Sequence, residues 1–370
     1  MKRLAIFVAT SGHSGVDRNL KNLIPEIAAR GIQVDVLRIK NHGLYLEKEL
    51  GELPANVRIV ELGTAHVNTS LWRLVRYLKR ERPDALLTDK DKVNRLALWA
   101  RRLAGVSTRL VVRMGTTVSK NLEKRSALQR WTQYTSIRRF YRWADAIIMP
   151  SRGAAEDLAC IAQLPVSRIS VVPNPVITAR FQQLLIQPVE HPWLKHKDRP
   201  VILGVGELSK RKDFATLLRA FARLRQQRPA RLIILGKGRQ REALVQLAEE
   251  LGISDDLDLA GFSPNPYAYM AQADVFVLSS ICEGFGNVLV EAMAAGTPVV
   301  STNCPSGPSE ILDEGRTGRL VPVADDAALA QAILDTLDQP PEPALLSAAV
   351  QPYTVQASAD HYLETLGLMG

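Results

Sequence analysis

Short apolar runs alternate with longer amphipathic segments along the chain, and after Pro200 the alternation begins again. In the first half the runs are Arg3–Ala9, Val34–Arg38, Val57–Leu62, Ala85–Thr88, Leu110–Arg113, Ala146–Met149 and Ile169–Val172. Their apolar residues are near-continuous, the mark of strands buried on both faces. Between them lie stretches with helical apolar spacing, as at Val16–Arg30, which Gly31 ends, Leu71–Arg82 and Val93–Ala104. Buried strands separated by helices imply a parallel sheet covered on both sides. The second half repeats the plan, with strands at 201–205, 231–235, 257–260, 275–278 and 299–301. Its helices read at 214–227, 240–251, 287–295 and 327–337. The fold class is therefore α/β, with two doubly wound domains at 1–175 and 201–350. A proline-rich linker at 176–200 joins them, and a terminal segment runs over 351–370. A length of 370 residues suffices for two cores. Ligands of such sheets bind beyond the carboxyl ends of the strands, so a cleft between facing domains is expected there.

The strand at 275–278 runs into Glu283-Gly284-Phe285-Gly286-Asn287-Val288-Leu289-Val290-Glu291. The following helix stops at Gly296-Thr297-Pro298. The glycines let a ligand approach the backbone, and a helix start favours an anion such as a diphosphate. Glu283 and Glu291 stand eight positions apart, a little over two helical turns, a spacing that allows one shared face. Glu283 belongs at the mouth of the loop and Glu291 deeper along the helix. This suits a ligand with hydroxyls at both ends and phosphates between. A lone glutamate pair at this spacing is more often a solvated helix face. The preceding strand, the glycines and the downstream run Gly307-Pro308-Ser309-Glu310 argue against that here.

This stretch resembles the E-x7-E signature of the retaining glycosyltransferases of family 4, whose GT-B fold sets two Rossmann-like domains facing across a cleft. The likeness continues through Ala294–Val300, Gly307–Leu312 and Gly315–Pro322 and is strongest over 200–335. It is closest to the branch that builds bacterial lipopolysaccharide cores and other surface glycans. The resemblance implies a hexosyltransferase that takes a nucleotide-diphosphate sugar, UDP-linked, and delivers it to a glycan or lipid-linked acceptor. It implies neither a metal nor another cofactor. Under it Glu283 and Lys212 act in catalysis, and Glu291 takes the ribose hydroxyls. Gly206, Arg211, Gly236, Gly238, Gly284, Phe285, Gly286, Asn287 and Val288 line the donor, and Phe262 meets the base. In the first domain, the loop with Gly12, His13 and Gly15 reaches the donor phosphate or acceptor. Arg113 and Thr116 line the acceptor side.

The sequence departs from the family twice. Glu207 stands where the usual Gly-Arg-Leu loop has its arginine. A carboxylate beside a diphosphate repels it, so Lys210 or Arg211 must compensate, or Glu207 must pair with one of them or turn away. Val112-Arg113-Met114-Gly115-Thr116-Thr117 also lacks the histidine common near the transferred sugar. Two other classes share the pattern. One is a sugar-nucleotide-binding subunit without catalysis, which Glu207 keeps open. The other is a GT-B isomerase or phosphorylase, the latter needing a lysine-bound pyridoxal that no residue marks.

Asp89-Lys90-Asp91 has the D-x-D form used with metals in a different glycosyltransferase fold. In the present architecture a helix start and basic side chains supply that charge, so both are read as loop acids. The net charge of +9 is uneven. Residues 1–185 carry 31 Lys and Arg against 15 Asp and Glu, and residues 186–370 carry 16 against 23. Within 101–152, 12 basic residues face only Glu123 and Asp145. The segment Leu128–Trp143 mixes five aromatics with Arg130, Arg138, Arg139 and Arg142. Such a field attracts anionic membrane surfaces or phosphorylated glycans, and no nucleic-acid recognition motif accompanies it. The apolar run after Met1-Lys2-Arg3 is too short for a leader and reads as the first strand. Cys160, Cys282 and Cys304 form no close pair, which fits a reducing compartment. The expected location is the cytoplasm, with peripheral attachment to the inner face of the membrane.

Overall fold

Parallel strands dominate both halves of the chain. The structure, a computed structural model, describes residues 1–10, 15–40, 42–46, 51–123 and 125–369. It divides into two units, residues 1–176 with the terminal segment from Tyr353, and Ile177–Pro352.

In the first unit, β1 (Arg3–Phe7), β2 (Gln33–Arg38), β3 (Val57–Glu61), β4 (Ala85–Asp89), β5 (Arg109–Arg113), β6 (Ala146–Met149) and β7 (Ile169–Val171) form one sheet. Its order is β3-β2-β1-β4-β5-β6-β7, all parallel. Leu4, Ala5, Ile6 and Phe7 are fully buried. Successive side chains point to opposite faces, which is why one strand feeds two cores and alternating polar positions are missing. Burial of a side chain the size of Leu4, Ile6 or Phe7 stabilises by about 1.5–3 kcal/mol. The terminal helix Val355–Leu366, capped by Thr354, belongs to this unit. Its Ala359, Tyr362, Leu363 and Leu366 are buried in the same core as Leu4, Ile6 and Val111. Ser358 Oγ donates to the Pro173 carbonyl at 2.9 Å, and Arg109 Nε donates to that of Thr365 at 2.9 Å.

In the second unit, β8 (Val201–Val205), β9 (Arg231–Leu235), β10 (Leu257–Gly261), β11 (Val275–Leu278), β12 (Val299–Thr302) and β13 (Arg319–Val321) form a sheet in the order β10-β9-β8-β11-β12-β13. β13 went unread in the sequence because it has three residues, of which only Val321 is buried. The stretch expected as a linker is folded into this unit. Phe181 is buried against Tyr267, with ring centroids 4.8 Å apart, and Asn265 Nδ2 donates to the Leu184 carbonyl at 2.8 Å. Its prolines interrupt the apolar periodicity without preventing burial of Phe181, Val189 and Leu194. Among the described residues, no helix is long and apolar enough to cross a membrane.

Candidate active site

β8 pairs with β9 on one edge and with β11 on the other, so the strand order reverses at β8. Such a switch point opens a crevice at the carboxyl ends of the strands, the favoured ligand site of doubly wound sheets. Two loops leave there, 206–213 after β8 and 279–286 after β11. The Ile281 amide donates to the Arg211 carbonyl at 2.8 Å, and Ser279 Oγ donates to that of Lys212 at 2.9 Å. Thr302 Oγ1, on β12, donates to the Ser280 carbonyl at 2.6 Å.

These loops bring together three charged side chains. Lys212 Nζ lies 2.7 Å from Glu283 Oε1, and Arg211 Nη1 lies 2.9 Å from Glu283 Oε2. Ser280 Oγ also donates to Oε1 at 2.7 Å. The Lys212 and Glu283 side chains are nearly sealed, whereas Arg211 keeps 45% of its side chain exposed. Burial pushes the Glu283 carboxyl up, but Lys212 and Arg211, with bonds from Lys212 and Ser280, outweigh it. The carboxyl stays below its ordinary range, hence ionised. Gly206 admits the lysine: a Cβ there would stand 3.0 Å from Lys212 Cε. Beneath lies Cys304, whose thiol is pushed up to about 12, first by burial and then by the Glu283 charge.

Glu207 is exposed and forms no ion pair among the described residues. Arg211 is on Glu283, so the pairing with Glu207 weighed from the sequence does not form. Glu283 itself lies in the loop, four residues ahead of the helix Asn287–Ala294. Glu291 lies within that helix and is 1% exposed. The two glutamates therefore do not share a helix face. Gly286 at the N-cap brings no capping side chain, Phe285 is buried, and Gly284, Asn287 and Val288 are partly exposed.

The paired glycines 236 and 238 answer to the protein's own backbone. A Cβ at Gly236, where φ is +155°, would sit 1.8 Å from the Gly206 carbonyl oxygen. One at Gly238 would sit 2.3 Å from that of Leu208. The loop after β9 thus closes on the loop that carries Lys212, and the Leu208 amide donates to the Lys237 carbonyl at 3.0 Å. Gly307 does the same for the other loop, since a Cβ there would lie 1.8 Å from the Phe285 oxygen. Phe262, just beyond β10, is 68% exposed, which excludes a core role for its ring.

In the first unit, Gly12 and His13 lie outside the described residues. Gly15 opens the helix Gly15–Ala29, and Asp17 is buried and bonded to Thr10 Oγ1. Thr116 is exposed in the loop after β5. Arg113, expected on the acceptor side, is instead 1% exposed. It pairs with Asp89, its register partner on β4. It also donates to the Tyr362 hydroxyl at 2.7 Å and to Asn174 Oδ1 at 2.7 Å. The expectation fails because the returning terminal helix covers that strand end with a hydroxyl the arginine can bind. Asp91 is likewise engaged, accepting from Arg95, Tyr141 and Gln133. Among the described residues, no three His, Cys, Asp or Glu gather as a metal set. Local sequence reading missed Ser280 and Thr302. The only signal was their position, Ser280 two residues beyond β11 and Thr302 at the end of β12.

The profile of the family "Glycosyl transferases group 1" matches residues 188–351, and that of the "Glycosyl transferase 4-like domain" matches 14–175. The chain is 30% identical over 349 residues to the N-acetylgalactosamine-N,N'-diacetylbacillosaminyl-diphospho-undecaprenol 4-alpha-N-acetylgalactosaminyltransferase of Campylobacter jejuni, covering 91% of each chain. It is 28% identical to the lipopolysaccharide core biosynthesis glycosyltransferase LpsE of Rhizobium meliloti, over 86% of this chain and 84% of that one. In fold it resembles HepE of Anabaena, solved in complex with UDP, at a TM-score of 0.80 and 20% identity over the whole of both chains.

Proposed function

The chain belongs to the family 4 glycosyltransferases of GT-B fold, and we propose that it moves a hexose from a UDP-sugar to a lipid-linked or glycan acceptor with retention of configuration. The observation that carries this is the Lys212–Glu283–Arg211 cluster at the β8–β11 switch point. Two cations against one carboxylate leave one positive charge in surplus, and the adjoining helix start adds about half a charge. That suits a diphosphate, and more so the charge that grows on it as the sugar departs.

Lys212 and Arg211 hold the diphosphate. Glu283 meets the sugar hydroxyls and steadies positive charge at the anomeric carbon, Glu291 takes the ribose hydroxyls, and Phe262 offers its ring to the base. Bound to two cations, Glu283 is a poor nucleophile, which favours attack from the face the diphosphate leaves. The departing phosphate oxygen then takes the acceptor proton. The two relatives named above, one for a lipid diphosphate acceptor and one for a lipopolysaccharide core, support a surface-glycan role. The positive field of residues 1–185 supports attraction to an anionic membrane.

The test is UDP release from a panel of UDP-sugars, with the product anomer assigned by NMR. Slow hydrolysis and an α-product from an α-donor are expected, and EDTA is expected to leave turnover unchanged. Glu291→Ala should weaken UDP in calorimetry, while Glu283→Ala should mainly lower turnover. Binding of every donor without release of UDP would replace this reading with that of a binding subunit.

A further inference from the structure

Three helices of the first unit, Asp91–Ala104, Val118–Leu122 and Ala127–Phe140, enclose a depression of about 390 Å³. Arg95, Arg125, Asn121, Gln129 and Gln133 line it, and no carboxylate does. Arg125 is exposed and makes no ion pair among the described residues. Arg95 reaches Asp91 at 2.9 Å and Ser136 at 3.1 Å, yet its buried Nε has no partner among the described residues. Arg95 also lines a second depression, of about 380 Å³, walled by Leu71, Leu96, Trp99 and Phe140 with Lys92. Trp99 packs on Trp143 and Phe140, at 5.0 and 5.7 Å between centroids, and still keeps 41% of its surface exposed. Trp72 and Trp131, on helices that border these depressions, are 69% and 65% exposed.

One exposed aromatic is ordinary, but Trp99 lines a depression next to a cationic one, with two further exposed tryptophans on the bordering helices, and such a concentration marks a binding surface. Arg95 and Gln133 are held from behind by the Asp91 carboxylate, which does not line the depression, so Arg125 carries the surplus charge, and guanidinium forks with side-chain amides suit a phosphate group. An apolar trough with a tryptophan wall suits hydrocarbon. Because both depressions share Arg95, a single molecule with a polar head and an apolar tail can reach both. A phosphorylated sugar would fill the first and leave the second empty. A bilayer's headgroup layer needs no enclosed notch. The helices Asp91–Ala104 and Val118–Leu122 begin just after β4 and β5, so the polar notch opens at the ligand-binding end of the sheet.

We propose that these two depressions hold the phosphate and the adjoining hydrocarbon of a lipid-linked acceptor, with Arg95 and Arg125 on the phosphate and Trp99 on the chain. The assignment rests on the reading above that the acceptor is lipid-linked.

The probe is farnesyl diphosphate, titrated onto the full chain with UDP present to fill the donor site, and followed by calorimetry and tryptophan fluorescence. Saturable binding is expected, at least about tenfold tighter than inorganic diphosphate or farnesol. Arg125→Gln should weaken it about tenfold, the scale of one charge-assisted hydrogen bond. Trp99→Leu should weaken farnesyl diphosphate but not inorganic diphosphate. If a melting curve shows Arg125→Gln misfolded, Arg125→Lys keeps the charge, loses the fork and should still weaken binding. Equal affinity of wild type and both Arg125 variants would overturn the site. Phosphatidylglycerol vesicles separate the two lipid sources. Vesicle binding that survives Arg125→Gln supports a discrete acceptor site. Its loss in step with farnesyl diphosphate makes the patch a general membrane contact and overturns the proposal. Acceptor-free hydrolysis of UDP-sugar by the wild type reports the donor reading alone. Hydrolysis without farnesyl diphosphate binding would sink this inference and spare that reading, and binding without hydrolysis would do the reverse.

Discussion

Each sheet carries a cation–carboxylate pair at the carboxyl ends of neighbouring strands, Arg113 with Asp89 in the first unit and Lys212 with Glu283 in the second. Their surroundings differ. Arg113 is bound by Asp89, Tyr362 and Asn174, all within its own unit, and is sealed from solvent. The Lys212–Glu283 pair has a second cation, Arg211, half-exposed on its rim. A buried charge must be compensated, so a guanidinium whose donors are taken by its own fold is a clasp. A cluster with surplus, accessible positive charge still has capacity for an anionic ligand. The lesson is that a basic residue at a strand end is a ligand candidate only after its internal partners are counted.

The largest effect that would test this contrast is on stability. Arg113→Ala leaves Asp89 buried without its cation and should cost about 3–5 kcal/mol. Urea unfolding followed by tryptophan fluorescence reports it, since Trp72, Trp99, Trp131 and Trp143 lie in the first unit and only Trp193 in the second. UDP affinity under mild conditions should not change, and a loss of UDP binding without a loss of stability would erase the distinction. Lys212→Ala should do the opposite, lowering UDP-sugar turnover about 10²–10³-fold. Retained turnover would make it a second clasp.

Arg211→Ala should weaken UDP about tenfold in calorimetry, the value of one charge-assisted bond. The pair's charge can also be read by pH. Folding holds the Glu283 carboxyl below its ordinary 4.5. Its contribution to stability is therefore complete above that value and is lost as pH falls through the lower folded one. The melting-temperature gap between wild type and Glu283→Gln should close on acidification below about pH 4.5. A gap that stayed constant to the acid limit would mean that packing, not charge, holds Glu283. The smallest effect concerns Glu207. Exposed charge pairs are worth about 0.2–1 kcal/mol, so Glu207→Arg should tighten UDP only a few-fold. A large gain would show that the missing arginine, and not Arg211, was the site's main deficit.

Much of the fold was legible because local physics carries it. Strands such as Leu4–Phe7 must be hydrophobic at every position when both faces are covered, and that needs no knowledge of partners. The strand β13 and the folded 177–200 stretch escaped, because a three-residue run and proline-interrupted burial leave no periodic signal. At the candidate site, the loop pattern and the family resemblance single out Glu283 and Lys212, and the structure brings the two side chains to 2.7 Å. Gly236 and Gly238 were legible as required glycines, but the group they admit is the Gly206–Leu208 backbone.

The sequence by itself determined the alternation of strand and helix, the restart after Pro200 and the placing of a glycine-bearing loop before the helix that carries Glu291, since each follows from residues within a few turns of one another. Only the tertiary structure decided which charges remain open to a ligand. Arg113 meets Tyr362 across 249 residues of chain, and Lys212 meets Glu283 across 71. Ion pairing and desolvation depend on distance and burial in space, and over such separations the chain order specifies neither.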